Sequence, residues 1–125
     1  MTMPSSDGGI EGPSDRVPHP RNYGTFPRKI GFYAIEGNVL SLAQAIRSAT
    51  GLPADILRLP ERGYLKKGYY ADVVVFDPKR FRDTATFQKP HQYATGVRYL
   101  FINGKLAVEN EKPTKTLAGR ALRHR

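Results

Sequence analysis

The sequence has no cysteine and no tryptophan among its 125 residues. Without cysteine, neither a disulfide framework nor a thiolate-ligated metal site can form. No run of about 18 apolar residues occurs, so no segment reads as a membrane-spanning helix. Apolar residues are sparse, at 39%, and a chain of this length holds one modest domain at most. Acidic residues are few as well: 11 stand against 20 lysines and arginines, for a net charge of +9. Such an excess raises the question of a polyanionic partner. Its distribution argues against nucleic acid, because Lys112, Lys115, Arg120, Arg123 and Arg125 fall in the acid-free stretch 112–125 and the other charges are scattered. The opening Met1-Thr2-Met3-Pro4 has neither the basic nor the apolar part of a secretory signal. A cysteine-free chain fits a reducing compartment, and a cytoplasmic location is expected.

What is abundant is glycine and proline, 12 and 10 residues. They gather in residues 1–37, which show neither helical nor strand periodicity and read as an irregular loop region. A loop of that length inside a compact domain is expected to be functional or to belong to something larger. Residues 38–59 read as helical. Ser41 is an N-cap, and Gln44 completes a capping box. Leu42, Ala45, Ile46 and Ala49 then share one face, Gly51 is the expected stop, and Pro53 suits the first turn of a second short helix.

Residues 63–110 read as β. The run Val73-Val74-Val75-Phe76 has the pattern of a strand buried on both faces. Val97–Ile102 is a second strand, Asn103-Gly104 is a hairpin signal, and Lys105–Val108 returns. Tyr64-Leu65 suggests a further short strand. Such a sheet is marginal alone and short of neighbours.

The stretch SSDGG, residues 5–9, admits two readings. Ser-Asp-Gly is an ordinary turn; Asp7 could equally be a catalytic carboxylate held on a loop. Arg21 is either a solvated charge or an anion anchor. His19, His91 and His124 have no second histidine or cysteine at ligand spacing, so none is expected to bind metal, and His19 is at most a loop-shaping residue. Asp72 and Asp77 flank a strand and read as turn residues, while Tyr69 and Tyr70 read as packing residues.

SSDGG is followed by HPRNYGTFPRKIGFY (19–33), LSLAQAIRSATGLPADILRLPERGYLKKGYYADVVVFDP (40–78) and ATGVRYLFINGKLAVE (94–109). This series resembles the C-terminal quarter of the N-acyl-D-amino-acid deacylases, or D-aminoacylases, of the amidohydrolase superfamily. The likeness runs from about Ser5 to Arg123. The segment 63–77 has a form shared widely in the superfamily, whereas S-D-G with H-P-R and T-F-P-R is more specific to this branch.

The resemblance implies an α+β fragment: the last βα unit of a (β/α)8 barrel plus the C-terminal part of a small β-sandwich domain. Residues 1–37 would be the active-site loop region from the end of the last barrel strand, 38–60 a helical segment of the barrel, and 61–125 the β-domain portion with its basic tail. It implies that Asp7 is the catalytic carboxylate, a general base toward a zinc-activated water that then hands its proton to the departing amine. It implies that Arg21 binds the carboxylate of an N-acyl-D-amino acid, a partner suited to a bidentate guanidinium. A barrel needs about 250 residues, and the family's histidine and cysteine ligands to zinc have no counterpart here. The chain alone is therefore expected to bind no zinc and to hydrolyse no amide. Three readings remain: an inactive hydrolase fragment, one subunit of a split enzyme whose partner brings the missing barrel, or a basic polyanion-binding module. An incomplete β-domain is also expected to self-associate through its sheet, with the basic tail pointing away.

Overall fold

The computed structural model describes residues 2–10, 12 and 16–122; His124 and the tail cations Arg123 and Arg125 lie outside them. Pro20, with φ −53°, opens helix α1 (Arg21–Pro27), where a missing N–H does no harm. Pro27 ends it, since its ring nitrogen cannot donate to the Tyr23 carbonyl. Beyond Pro27 the ladder widens into a π-helical segment, Arg28–Glu36. The expectation that residues 1–37 lack helix is thus corrected: 21–36 are helical. Two glycines of this stretch are packing residues. A Cβ on Gly24 would stand 2.9 Å from Asp83 Cβ, and one on Gly31 would collide with the Phe81 carbonyl oxygen. Two turns apart, they let residues 81–83 lie directly on the helix backbone.

Helix α2 (Leu42–Ala49) starts as expected. Ser41 accepts from the Gln44 N–H at 3.2 Å, and Gln44 Oε1 accepts from the Ser41 N–H at 3.1 Å. Ala45 is fully buried, but Ile46 remains 36% exposed, so only part of the expected apolar face is covered. Gly51 is not a stop. It begins α3 (Gly51–Ile56), with the Tyr64 ring 2.6 Å from where a Cβ would sit. Pro53 lies in the first turn of α3, as its rigid φ allows.

The β half is a four-stranded antiparallel meander, β1 (Val73–Phe76), β2 (Val97–Ile102), β3 (Lys105–Glu109) and β4 (Lys112–Pro113), in sequential order. Val74 pairs with Leu100 and Leu100 with Val108, fixing one face across three strands. Asn103 and Gly104 have φ of +50° and +78°, the doubly left-handed turn that matches strand twist. The β3–β4 turn repeats this at Asn110 and Glu111, φ +46° and +69°. Strand β1 is an edge strand, not one buried on both faces: Val74 and Val75 are 47% and 44% exposed. β-branching specified the extended backbone but not a covering layer. Tyr64 and Leu65 form no strand. Tyr64 donates its hydroxyl to Asp55 at 2.7 Å, while Leu65 points outward.

The described part of the tail, residues 112–122, does not point away. Thr114 donates its N–H to the Ala107 carbonyl at 2.9 Å and its hydroxyl to Leu106 at 2.7 Å. Asn103 Nδ2 donates to the Ala118 carbonyl at 2.7 Å. Tyr70 receives two guanidinium groups, Arg62 at 4.2 Å and Arg120 at 5.6 Å from its ring centre. Among the described residues the buried apolar set is Ala34, Ala45, Ala54, Phe81 and Ala85. That core is largely alanine and lies along the helices and the 81–85 seam. Helices and sheet leave an apolar cleft of about 620 Å³ between them, lined by Ile30, Ile46, Val73 and Phe76.

Candidate active site

The SSDGG loop lies over the start of α1. Ser6 Oγ accepts from the Gly8 N–H at 3.2 Å, a turn that puts Asp7 at φ +48°, a conformation Asp tolerates better than most residues. Asn22 Oδ1 accepts from the Gly9 N–H at 3.3 Å and so ties the loop to the helix. With the loop anchored, Asp7 Oδ2 stands 2.9 Å from Arg21 Nη2. The two candidates named from sequence are brought together as an ion pair. Their side chains are 84% and 43% exposed, so the pair contributes little to stability and can open for a ligand at small cost.

His19 shapes this corner. Its Nδ1 accepts from the Arg21 N–H at 3.0 Å, and its carbonyl accepts from the Asn22 N–H at 3.0 Å, so two free donors of the helix start are satisfied. Its ring meets Phe87 edge-on at 4.9 Å. His91 sits across α1, Nδ1 2.8 Å from Tyr23 Oη and Nε2 2.9 Å from the Arg16 carbonyl. Both described histidines are thus engaged in hydrogen bonds. Among the described residues no three His, Cys, Asp or Glu side chains gather at metal-binding distance. The donor set does not fit a metal centre; Asp7 offers a single exposed carboxylate. Asp72 and Asp77 act at turns: Asp72 Oδ1 accepts from the Asn103 N–H at 2.8 Å, and Asp77 Oδ1 from the Lys79 N–H at 3.0 Å.

Along α1 from Arg21 runs a cleft of about 670 Å³ lined by Arg21, Thr25, Arg28, Lys29, Tyr33 and Phe87. Its cations are unequal. Arg28 pairs with Asp83 at 3.0 Å, and hydrogen bonds to Asp83 and Tyr33 raise its pKa further. Lys29 donates to Ser48 Oγ on α2, and its partial burial lowers its pKa. The contacts of Asn22, Tyr23 and His91 to this corner were not anticipated from sequence. Tyr23 and His91 lie 68 positions apart, and no local pattern marks them as neighbours.

Comparison with known proteins narrows the chemistry. The profile of the amidohydrolase family matches residues 5–108. The chain is 44% identical over 97% of its length to a D-aminoacylase of Alcaligenes xylosoxydans, and 40% identical over 98% to an N-acyl-D-aspartate deacylase of the same organism. It spans 24% of the length of each. Among solved structures, a D-aminoacylase superposes with a TM-score of 0.80 at 43% identity, covering 83% of this chain and 22% of that one. An N-acyl-D-glutamate deacylase of Bordetella bronchiseptica, complexed with zinc and a phosphonate mimic of the tetrahedral intermediate, superposes with a TM-score of 0.71 at 36% identity, over 82% of this chain and 23% of that one.

Proposed function

Because the chain belongs to the amidohydrolase family, we propose that it is the segment of an N-acyl-D-amino-acid deacylase that supplies the proton-transferring carboxylate and the substrate-carboxylate anchor. In this reading residues 1–37 form the active-site loop region after the last strand of a (β/α)8 barrel, 38–60 a barrel helix, and 61–125 the C-terminal part of a small β-sandwich domain. The reaction is hydrolysis of the amide of an N-acyl-D-amino acid to a carboxylate and a free D-amino acid, in a cytoplasmic setting. The N-acyl-D-glutamate deacylase is complexed with zinc; since the described residues gather no metal-binding group, such a centre would be built by residues outside this segment.

The chemistry this segment can offer follows from its two side chains. Asp7, on a loop and 84% exposed, is free to accept a proton from attacking water and return it to the departing nitrogen. Arg21 offers a planar fork to a carboxylate. Asp7 Oδ2 stands 2.9 Å from one nitrogen of that fork. Binding of a substrate carboxylate would exchange one anion for another and release Asp7 to act as base. The observation that carries the reading is the 2.9 Å approach of Asp7 to Arg21, within a segment 44% identical to a D-aminoacylase over 97% of its length.

A polyanion-binding role finds less support. Arg21, Arg28, Arg47, Arg62, Arg80, Arg82 and Arg98 each pair with a carboxylate, so these arginines are engaged within the chain, and the net charge of +9 is carried by the other cations. The test is complementation. The chain is coexpressed with the barrel portion of a D-aminoacylase and assayed on N-acetyl-D-amino acids. Turnover that requires both pieces and disappears with Asp7→Asn supports the reading. Turnover indifferent to Asp7→Asn, or no turnover from a correctly assembled complex, refutes it.

A further inference from the structure

The helix that carries Arg21 is held by a loop far away in sequence. Residues 81–93 wrap around it. Asp83 pairs with Arg28 at 3.0 Å and lies against Gly24, fixing the C-terminal half of α1. The N-terminal half is held by rings: Phe87 on His19 at 4.9 Å, Tyr93 on Tyr23 at 5.7 Å, and His91 on Tyr23 at 5.7 Å. His91 does more than pack. A carbonyl oxygen only accepts, so the 2.9 Å approach of Nε2 to the Arg16 carbonyl places the proton on Nε2. Nδ1 is then an acceptor, and the Tyr23 hydroxyl donates to it at 2.8 Å. Tyr23 follows Arg21 by two residues on α1, while Arg16 lies on the stretch that joins the Asp7 loop to that helix. One imidazole therefore ties Arg16, on the approach to the helix, to Tyr23 within it.

We propose that His91 is a positioning residue for Arg21: through its two hydrogen bonds it fixes the start of α1 against the incoming loop, so that the guanidinium keeps one orientation toward a carboxylate. This rests on the reading of Arg21 as the carboxylate anchor. A fork-shaped donor orients its partner only if its own stem is fixed. The exposed Arg21–Asp7 pair does not provide that fixation by itself.

Three variants separate the bonds from the packing. His91→Phe keeps a flat ring and loses both hydrogen bonds. His91→Gln keeps one donor and one acceptor. Tyr23→Phe loses the hydroxyl. The first readout is ring ¹⁵N spectroscopy and amide exchange on the 125-residue chain. Wild type should show the Nε2–H tautomer at His91. His91→Phe and Tyr23→Phe should speed exchange of the Arg21, Asn22 and Tyr23 amides about tenfold, and His91→Gln should recover most of the protection. Amides of α2 should not move. The second readout is kinetics in the deacylase reconstituted with a barrel portion: His91→Phe should raise KM about tenfold with a smaller change in kcat. Unchanged exchange at residues 21–23, equal acceleration throughout α2, or a Gln variant as damaged as the Phe variant would overturn the proposal, as would a loss confined to kcat. If exchange responds as expected but no N-acyl-D-amino acid is turned over, the functional reading fails and the pin on α1 stands.

Discussion

Replacing Asn103 tests how the β-domain holds its tail. The carboxamide serves two partners: Oδ1 accepts from Arg62 Nη2 at 2.7 Å, and Nδ2 donates to the Ala118 carbonyl at 2.7 Å. The residue also occupies φ +50°. Asn103→Gly keeps the turn and loses both bonds. The bond to Arg62 is to a charged group, but Arg62 retains Asp72 as a partner, so the low end of the usual range, about 1.5 kcal/mol, applies. The bond to Ala118 adds about 1 kcal/mol, and the extra backbone freedom of glycine about 0.5 kcal/mol. Asn103→Gly should therefore destabilise by about 3 kcal/mol. Asn103→Ala escapes the glycine penalty but places an ordinary side chain in the left-handed region, about 1–2 kcal/mol, and should be worse still. Asn103→Asp turns the donor to the tail into a carboxylate oxygen that repels the Ala118 carbonyl, but it keeps a charged acceptor for Arg62, so it should be milder than glycine. Urea unfolding gives the ranking, and tryptic cleavage after Lys115 and Arg120 reports release of the tail. A glycine variant within about 0.5 kcal/mol of wild type, or an alanine variant no worse than glycine, would refute this account.

Ser41→Ala removes the cap that accepts from Gln44 and should lower stability by about 1 kcal/mol, measured by the same unfolding. Tyr64 ionises above the ordinary tyrosine range because its hydroxyl is bonded to the Asp55 carboxylate; tyrosinate absorbance should show Asp55→Asn lowering that transition. Lys29 has a folded pKa below its unfolded one through burial. The unfolded chain therefore binds more protons between the two values, and stability should rise with pH across that alkaline window. Lys29→Met should abolish the rise. Among the described residues the outer edge of β1 has no strand partner, so the isolated chain should form dimers or small oligomers on sedimentation; a strict monomer at high concentration would show the edge to be shielded.

Much of the local structure was legible because its causes are local. Ser41 with Gln44 and Asn103 with Gly104 carry their geometry in adjacent residues, and both features form where expected. The π-helical segment was not legible: nothing local marks Gly24 and Gly31 as packing positions until Phe81 and Asp83 are placed against them, and a widened ladder does not follow the 3.6-residue period. The burial of β1 was misread for a related reason. Val73–Phe76 records a preference for extended backbone, whereas exposure depends on whether another layer arrives. At the site, Asp7 and Arg21 could be named from their motifs, but their pairing depends on Asn22 anchoring the glycine loop. The hold of His91 on Tyr23 depends on a loop that no pattern links to α1.

The widened turn at Arg28–Glu36 behaves like one surplus residue absorbed within a helix rather than looped out of it. A helix advances about 100° per residue, so restoring a regular α-ladder with that residue kept would rotate everything upstream relative to everything downstream by about that angle. Lys29 would leave Ser48, Gly31 would leave Phe81, and Arg21, together with the Asp7 loop that Asn22 ties to its helix, would turn away from residues 81–93. A change of ladder in this segment is therefore not neutral in the way a change in a surface loop is. A regular ladder here would re-aim the proposed carboxylate anchor without altering it or its neighbours, and so undo an arrangement whose residues are all still present.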